Sequence, residues 1–416
     1  LGSRGLGDVY KRQVRLYQRW DESRNLYTQA WDYGSGDMSF QNPYWIMNKM
    51  INQTKKRRYM LSANLKYDVT DWLDVTGRVK VDNADMDITE KRYAGTDTNF
   101  AGEKGMYSII KRNDRQIYAD AIANIDLTFA GDYHLSANVG ASLKDVRMDF
   151  MGWGGDLRKI PNFFSITNIS TTNYKEREDG SHIQSQSIFA NVELAWKSML
   201  YLTVTGRNDW SSTLAPGNNS YFYPSVSGSV ILSDLLHIDT PMVNFLKVRA
   251  SWANVGNDTS PYQLLNYYNN SSFTGGFNMP TNKANYNLKP ENVESWEFGV
   301  EGRFFDSRLT FDVAFYNATT TNQIISVPVD ITTGVYNTIV NAGEINNRGW
   351  EVSARIQPVR NKNIRWDMNF TWSRNRNKVV ELAPNLDSWT IATGPRGEIR
   401  AVPGGSLGDL YGSGYE

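Results

Sequence analysis

The chain has 416 residues, 44 basic against 44 acidic, and no cysteine. Zero net charge gives no electrostatic case for nucleic acid or an anionic membrane as a partner, and without cysteine there is neither a disulfide framework nor a thiolate metal site. No stretch approaches the ~18 apolar residues of a transmembrane helix. That excludes a helical membrane protein but not a transmembrane barrel, in which only alternate residues face lipid.

The chain begins without Met and without an apolar leader, and it stops at "YGSGYE". Both ends suggest a fragment, so a missing leader carries no information about location. "DVYKRQ" (Asp8–Gln13) resembles the translation of a sequencing-library adapter. Residues 1–13 are therefore set apart as an adapter artefact. A helical turn is expected near Tyr44 to Asn52, and little helix elsewhere.

The first clear element is "YMLSANLKYDVTDWLDVTGRVKVD" (Tyr59–Asp82). Leu61, Ala63, Leu65, Tyr67 and Val69 alternate with Ser62, Asn64, Lys66 and Asp68. Beyond Thr70-Asp71, Leu73, Val75, Gly77, Val79 and Val81 alternate with Asp74, Thr76, Arg78 and Lys80. Successive residues of a strand face opposite ways, so this predicts a hairpin with one apolar face. Similar runs follow at 116–129, 133–146, 186–197, 200–209, 223–232, 246–255, 294–305, 308–317, 349–358 and 363–374. Runs of roughly 9–13 residues exceed the ~5–6 of soluble sheets and suit tilted transmembrane strands.

Connections alternate in length. Tight ones fall at Thr70-Asp71, Gly131-Asp132, Lys197–Met199, Asp306-Ser307 and 358–363; long ones at about 83–115, 147–185, 210–222, 256–292 and 318–347. Short turn then long loop is the asymmetry of an outer-membrane barrel. Across Tyr59–Val69, Leu73–Val81, Ile117–Phe129, Tyr133–Leu143, Ile188–Trp196, Leu200–Gly206, Leu246–Trp252, Trp296–Phe304, Leu309–Phe315, Trp350–Ile356 and Ile364–Trp372 the alternate apolar rows hold no Lys, Arg, Asp or Glu, whereas the opposite rows carry Glu193, Arg207, Glu297, Glu301, Arg303, Glu351, Arg355 and Asp367. A Lys or Arg at mid-bilayer on the lipid face costs ~2–4 kcal/mol, which a lumen position avoids. Trp72, Tyr133, Trp196, Trp252 and Trp366, near strand ends, suit aromatic girdles. A soluble sandwich or propeller would also alternate; strand length and loop asymmetry favour a partial transmembrane antiparallel β-barrel, all-β, of about a dozen strands.

Several stretches resemble one family. "RNDWSSTLAPGNNSYFYPSVSGSVILSD" (Arg207–Asp234), "FLKVRASWANVGND" (Phe245–Asp258), Asn287–Ile324, "NAGEINNRGWEVS" (Asn341–Ser353), "WDMNFTWSRNRNKVVEL" (Trp366–Leu382) and Val402–Glu416 resemble the TonB-dependent outer-membrane receptors of the starch-utilisation type, the SusC/RagA-like group. The likeness runs from about Val14 to the end, so residues 14–416 are read as a partial outer-membrane barrel domain. The resemblance implies a larger plugged barrel in the outer membrane of a Gram-negative bacterium. It implies a SusD-like surface lipoprotein as lid, oligosaccharide or peptide import, and energy from the TonB complex. Plug, TonB-contacting segment and terminal strands are expected to lie outside this sequence.

Function is expected in the outer loops and on the lumen face. The loop with Tyr262, Tyr267, Tyr268, Asn269, Phe273, Phe277 and Tyr286 mixes flat aromatics with amides, as a sugar's apolar faces and hydroxyls require. Trp153 in "GWGG", and Tyr174, follow the same logic more weakly. The more ordinary role for these aromatics is packing the loop or meeting the lipoprotein. Arg207, Asp209 and Trp210 in "RNDWSST" read first as a lumen or rim hydrogen-bond network. "KKRR" (Lys55–Arg58) reads as a solvated rim. Gly404–Gly408 matches G-x-S-x-G by chance, lacking the strand and helix a nucleophile elbow needs. His134, His182 and His237 show no metal-ligand spacing. No enzyme activity, cofactor or metal is expected. The alternatives are a soluble or surface all-β carbohydrate-binding module and an outer-membrane barrel enzyme.

Overall fold

The alternating segments become twelve long strands in the computed structural model, which describes residues 17–30, 41–171, 175–238, 240–270, 276–394, 397–412 and 414. They are β1 (Met50–Thr70), β2 (Leu73–Tyr93), β3 (Gly105–Phe129), β4 (Tyr133–Asp156), β5 (Lys175–Trp196), β6 (Leu200–Ser211), β7 (Ser220–Ile231), β8 (Val243–Asn257), β9 (Glu291–Phe304), β10 (Leu309–Thr321), β11 (Glu344–Arg360) and β12 (Arg365–Glu381). All belong to one sheet whose order follows the chain, each strand beside its sequence neighbours. This is the up-and-down antiparallel arrangement of a β-barrel wall. The tight turns are built for it. Lys197 and Ser198 take φ of 50° and 54°, the left-handed pair whose twist matches flanking strands. Gly131 takes φ 74° beside Ala130.

The first five strands run further than the hydrophobic pattern indicates, with 21, 21, 25, 24 and 22 residues. Much of the expected loop at 83–115 and 147–185 is therefore strand. Alternation marks a strand only where its two faces meet different solvents. Asp82, Asp85, Asp87, Glu90, Lys111, Arg112 and Asp114 continue the ladder with polar groups in both directions and leave no period to read.

Packing divides the chain into two units. The first comprises Leu1–Leu61, Lys80–Ile117 and Val146–His182. In it the helix α1 (Pro43–Lys49) opens with Pro43 at its start and the Asn42 side chain accepting from the Tyr44 N–H. A proline there loses no helical hydrogen bond and the cap satisfies a free N–H. Trp45 on this helix is fully buried, and its indole N–H donates to Thr96 at 3.0 Å. Asn168 ties the loop after β4, accepting from the Lys159 and Ile160 N–H groups and donating to the Ile160 and Phe163 carbonyls. Arg58 of the basic run pairs with Asp82 of β2.

The second unit comprises Ser62–Val79, Tyr118–Asp145 and Ile183–Glu416. Its registers keep the two faces of the wall apart. Val248, Val300, Val313, Val352 and Trp372 stand opposite one another across β8 to β12, and Ala250, Phe298, Phe315 and Trp350 form the next row. On the reverse face the same strands align Lys247, Glu301, Asp312, Ser353 and Thr371. Among the described residues nothing forms a second layer over the apolar rows: Phe298 is 52% exposed, Trp350 48% and Trp372 54%. Soluble monomers rarely leave contiguous apolar patches of more than a few hundred Å² open to water. The buried apolar clusters of this unit sit elsewhere, under the long loops, around Leu214, Leu288 and Ile339, around Ile325 and Val327, and around Val379, Leu382 and Ala401. The wall is thus not half of a sandwich core.

Candidate ligand-binding surfaces

Two long loops, 258–290 and 322–343, join at one end of the second unit. Strand Asn337–Asn341 pairs antiparallel with Ile324–Pro328 and parallel with Asn282–Lys283. The join is sewn by amides, which can donate and accept at once. Asn266 donates to the Asn282 carbonyl at 2.6 Å and accepts from the Ala284 N–H at 2.8 Å, and Asn337 donates to the Asn282 side chain at 3.1 Å. The join forms a half-open hollow of about 420 Å³ lined by Tyr267, Tyr268, Met279, Pro280 and Lys283 from one loop and Val329, Thr333, Val335 and Thr338 from the other. The rim turn is fixed by Asp330, whose carboxylate accepts from the Thr332 N–H at 2.8 Å. That bond holds its pKa below the usual carboxylate range.

Of the aromatics singled out in sequence, the fold brings Tyr267 and Tyr268 together in this hollow. Tyr262, Phe277 and Tyr286 belong to the same loop and are exposed, but do not line it. Asn269 lies in a two-residue strand paired with Asn278. Phe273 and Tyr174 lie outside the described residues. Trp153 is half-buried on β4 in the first unit, between Gly152 and Gly154, which lie close against Ile110 and Ser108. Sequence reasoning missed Lys283 and the whole contribution of residues 329–338. The usable signal was the β-rich stretch "YNTIVN", which reads as a strand but does not name its partner.

The polar face of the wall is the second surface. Arg249 forks onto Asp312, at 2.7 and 3.0 Å, with Glu297 at 3.6 Å. Arg303 donates to Glu301, and Arg355, Gln357 and Arg365 converge on Asp367. Nearer the long loops the lattice turns neutral. The Tyr316 hydroxyl crosses β11 to donate to Asn375 at 3.2 Å, and Asn377 donates to Asn347 at 2.9 Å. Gly349 permits the crossing, since a Cβ there would stand 2.5 Å from the Tyr316 hydroxyl and from the Arg374 carbonyl.

The "RNDWSST" residues divide between faces. Arg207 donates to Asp209 and to Ser187, both at 2.7 Å, and its guanidinium lies over the Phe189 ring. Trp210, three residues on from Arg207, falls in the alternate row with Leu202 and Val204, on the apolar side. Ser211 and Thr213 are buried and both donate to Asp258. In the Gly404–Gly408 stretch the Ser406 N–H donates to Asp409 in a turn.

A wall greasy on one side and ionic on the other is the pattern of a membrane β-barrel. The chain belongs to the TonB dependent receptor-like β-barrel family, whose pattern matches residues 3–403. It is 24% identical over 432 residues to TonB-dependent receptor P3 of Formosa agariphila, covering 100% of this chain and 42% of that protein. It is 27% identical over 214 residues to TonB-dependent receptor SusC of Bacteroides thetaiotaomicron, covering 49% of this chain and 21% of that one. Among solved structures, the RagAB peptide transporter matches with a TM-score of 0.78 at 19% identity, covering 90% of this chain and 42% of that chain. The siderophore receptor PiuA of Acinetobacter baumannii matches at 0.51 and 14%, covering 79% and 48%. These structural likenesses are of fold. The chain spans less than half the length of each of these relatives. Barrels of this family are outer-membrane proteins of Gram-negative bacteria, and the family is one of transporters and receptors rather than enzymes.

Proposed function

We propose that this chain is the barrel segment of an outer-membrane importer that captures oligosaccharides, or peptides, beneath a SusD-like surface lipoprotein, with uptake driven by the TonB complex through parts outside this sequence. The observation that carries the ligand class is the loop hollow. Tyr267 and Tyr268 offer flat faces to the C–H side of a sugar or to apolar side chains. Lys283 and Thr338 offer donors to hydroxyls or carboxylates. The polar lattice from Arg249 to Asp367 suits a wet passage for such cargo. SusC and RagA as relatives support a lipoprotein lid.

The test is binding of an oligosaccharide array and a peptide library by the complete receptor with its lipoprotein. Tyr268→Ala is expected to weaken capture of the preferred cargo roughly tenfold or more, the loss typical of an aromatic anchor, with heat-modifiable migration unchanged. Unchanged capture removes the hollow as the site.

A further inference from the structure

The zero net charge conceals a local imbalance. On β11 and β12 the even-numbered residues form the apolar face: Trp350, Val352 and Ala354 on one, Met368, Phe370 and Trp372 on the other. Continuing toward the long loops, the same face carries Arg348, Arg374, Arg376 and Lys378. Arg374 stands opposite Trp350, Arg376 opposite Arg348, and Lys378 opposite Asn346. The reverse face at this level is closed, with Val379 fully buried and Ile345 3% exposed, so the cations project outward. All four are exposed.

Apart from the backbone ladder, none of the four side chains makes a hydrogen bond or ion pair with any described residue. The contrast with the polar face is sharp, since Arg249, Arg303, Arg355 and Arg365 there each meet a carboxylate. Glu294, Glu344 and Glu381 form no ion pair with any of the four; Glu294 accepts from the Trp252 indole instead. Unpaired like charges repel, and such a cluster is stabilised when an anion arrives.

We propose that Arg348, Arg374, Arg376 and Lys378 form a docking surface for lipids with phosphate-bearing headgroups, at the long-loop edge of the membrane. Alternate strand residues are ~6.7 Å apart and adjacent strands ~4.8 Å. The patch therefore measures about 13 by 5 Å, the scale of one headgroup. Guanidinium forks match phosphate oxygens in pairs. Trp350 and Trp372 lie directly beneath, where indoles anchor at the interface, so the anion that fits carries acyl chains. A free phosphate would use the cations and leave that apolar shelf unused.

The inference rests on the membrane reading, and one experiment separates the two. The full-length receptor is reconstituted into phosphatidylcholine vesicles in which an equal minor fraction of either phosphatidylcholine or phosphatidylglycerol is brominated along its acyl chains. Quenching of tryptophan by brominated phosphatidylcholine reports contact with hydrocarbon; its absence overturns the membrane reading. Stronger quenching by brominated phosphatidylglycerol, with a relative association constant about tenfold higher, is expected from the cations. Arg374→Gln/Arg376→Gln/Lys378→Gln abolishes the preference, Arg348→Gln alone reduces it, and Arg365→Gln on the polar face leaves it intact. Equal quenching by the two lipids in the parent, or a preference that survives the triple change, overturns the proposal. Full displacement by inorganic phosphate reassigns the site to a free anion and likewise overturns it.

Discussion

The two faces of β8 to β12 share a backbone and differ in everything else. One side carries valines, phenylalanines and tryptophans with no layer of described residues over them; the other carries Arg249, Arg303 and Arg355, each with its acid. Residues one position apart therefore live in opposite solvents. What a side chain costs or contributes is set by its parity before its identity.

The largest test of that contrast is a charge on the wrong side. Val300→Arg, mid-wall in the valine row, is expected to destabilise the inserted barrel by ~2–4 kcal/mol. Thr371→Lys on the reverse face should stay within about 0.5 kcal/mol, as for ordinary exposed positions. Urea titration of the receptor in lipid vesicles measures both, and equal costs would erase the distinction between faces. A smaller effect is expected inside the lattice. Asp312→Asn removes the carboxylate that holds Arg249, whose side chain is 32% exposed. With Glu297 and solvent compensating, the same titration should register about 1 kcal/mol. The smallest effect belongs to the loops. Folding lowers the pKa of Asp330 through the Thr332 N–H. The turn is thus supported above the ordinary carboxylate range and loosens as pH falls through the depressed value. Hydrogen exchange at Thr332 should quicken in acid, and Asp330→Asn should flatten that dependence.

Much of the wall was legible because lipid and water write opposite letters on alternate residues. Tyr59–Asp82 and Glu294–Tyr316 can be read as hairpins by eye. The signal stops where both faces are wet, so the ends of β2 to β5 looked like loop. Trp210 shows a different limit, since an aromatic inside a polar motif attracts a polar role although its parity assigns it to the greasy row. The hollow was half visible. Tyr267 and Tyr268 stood out, but their neighbours Val329, Thr333 and Val335 arrive through the parallel pairing of Asn282–Lys283 with Asn337–Thr338, a long-range contact that no local pattern encodes. The basic patch escaped because a balanced total hides four cations crowded at one edge.

Strand order equal to chain order also governs how such a wall can be made. Each ribbon needs only the one synthesised just before it as a template, so no segment must pass through a gap left by another. The entropy of closing each step is that of a short turn or one surface loop, never of the whole chain. Growth can therefore proceed edge by edge, with two open margins, that of the first strand and that of the newest, to be shielded from hydrocarbon until the wall closes.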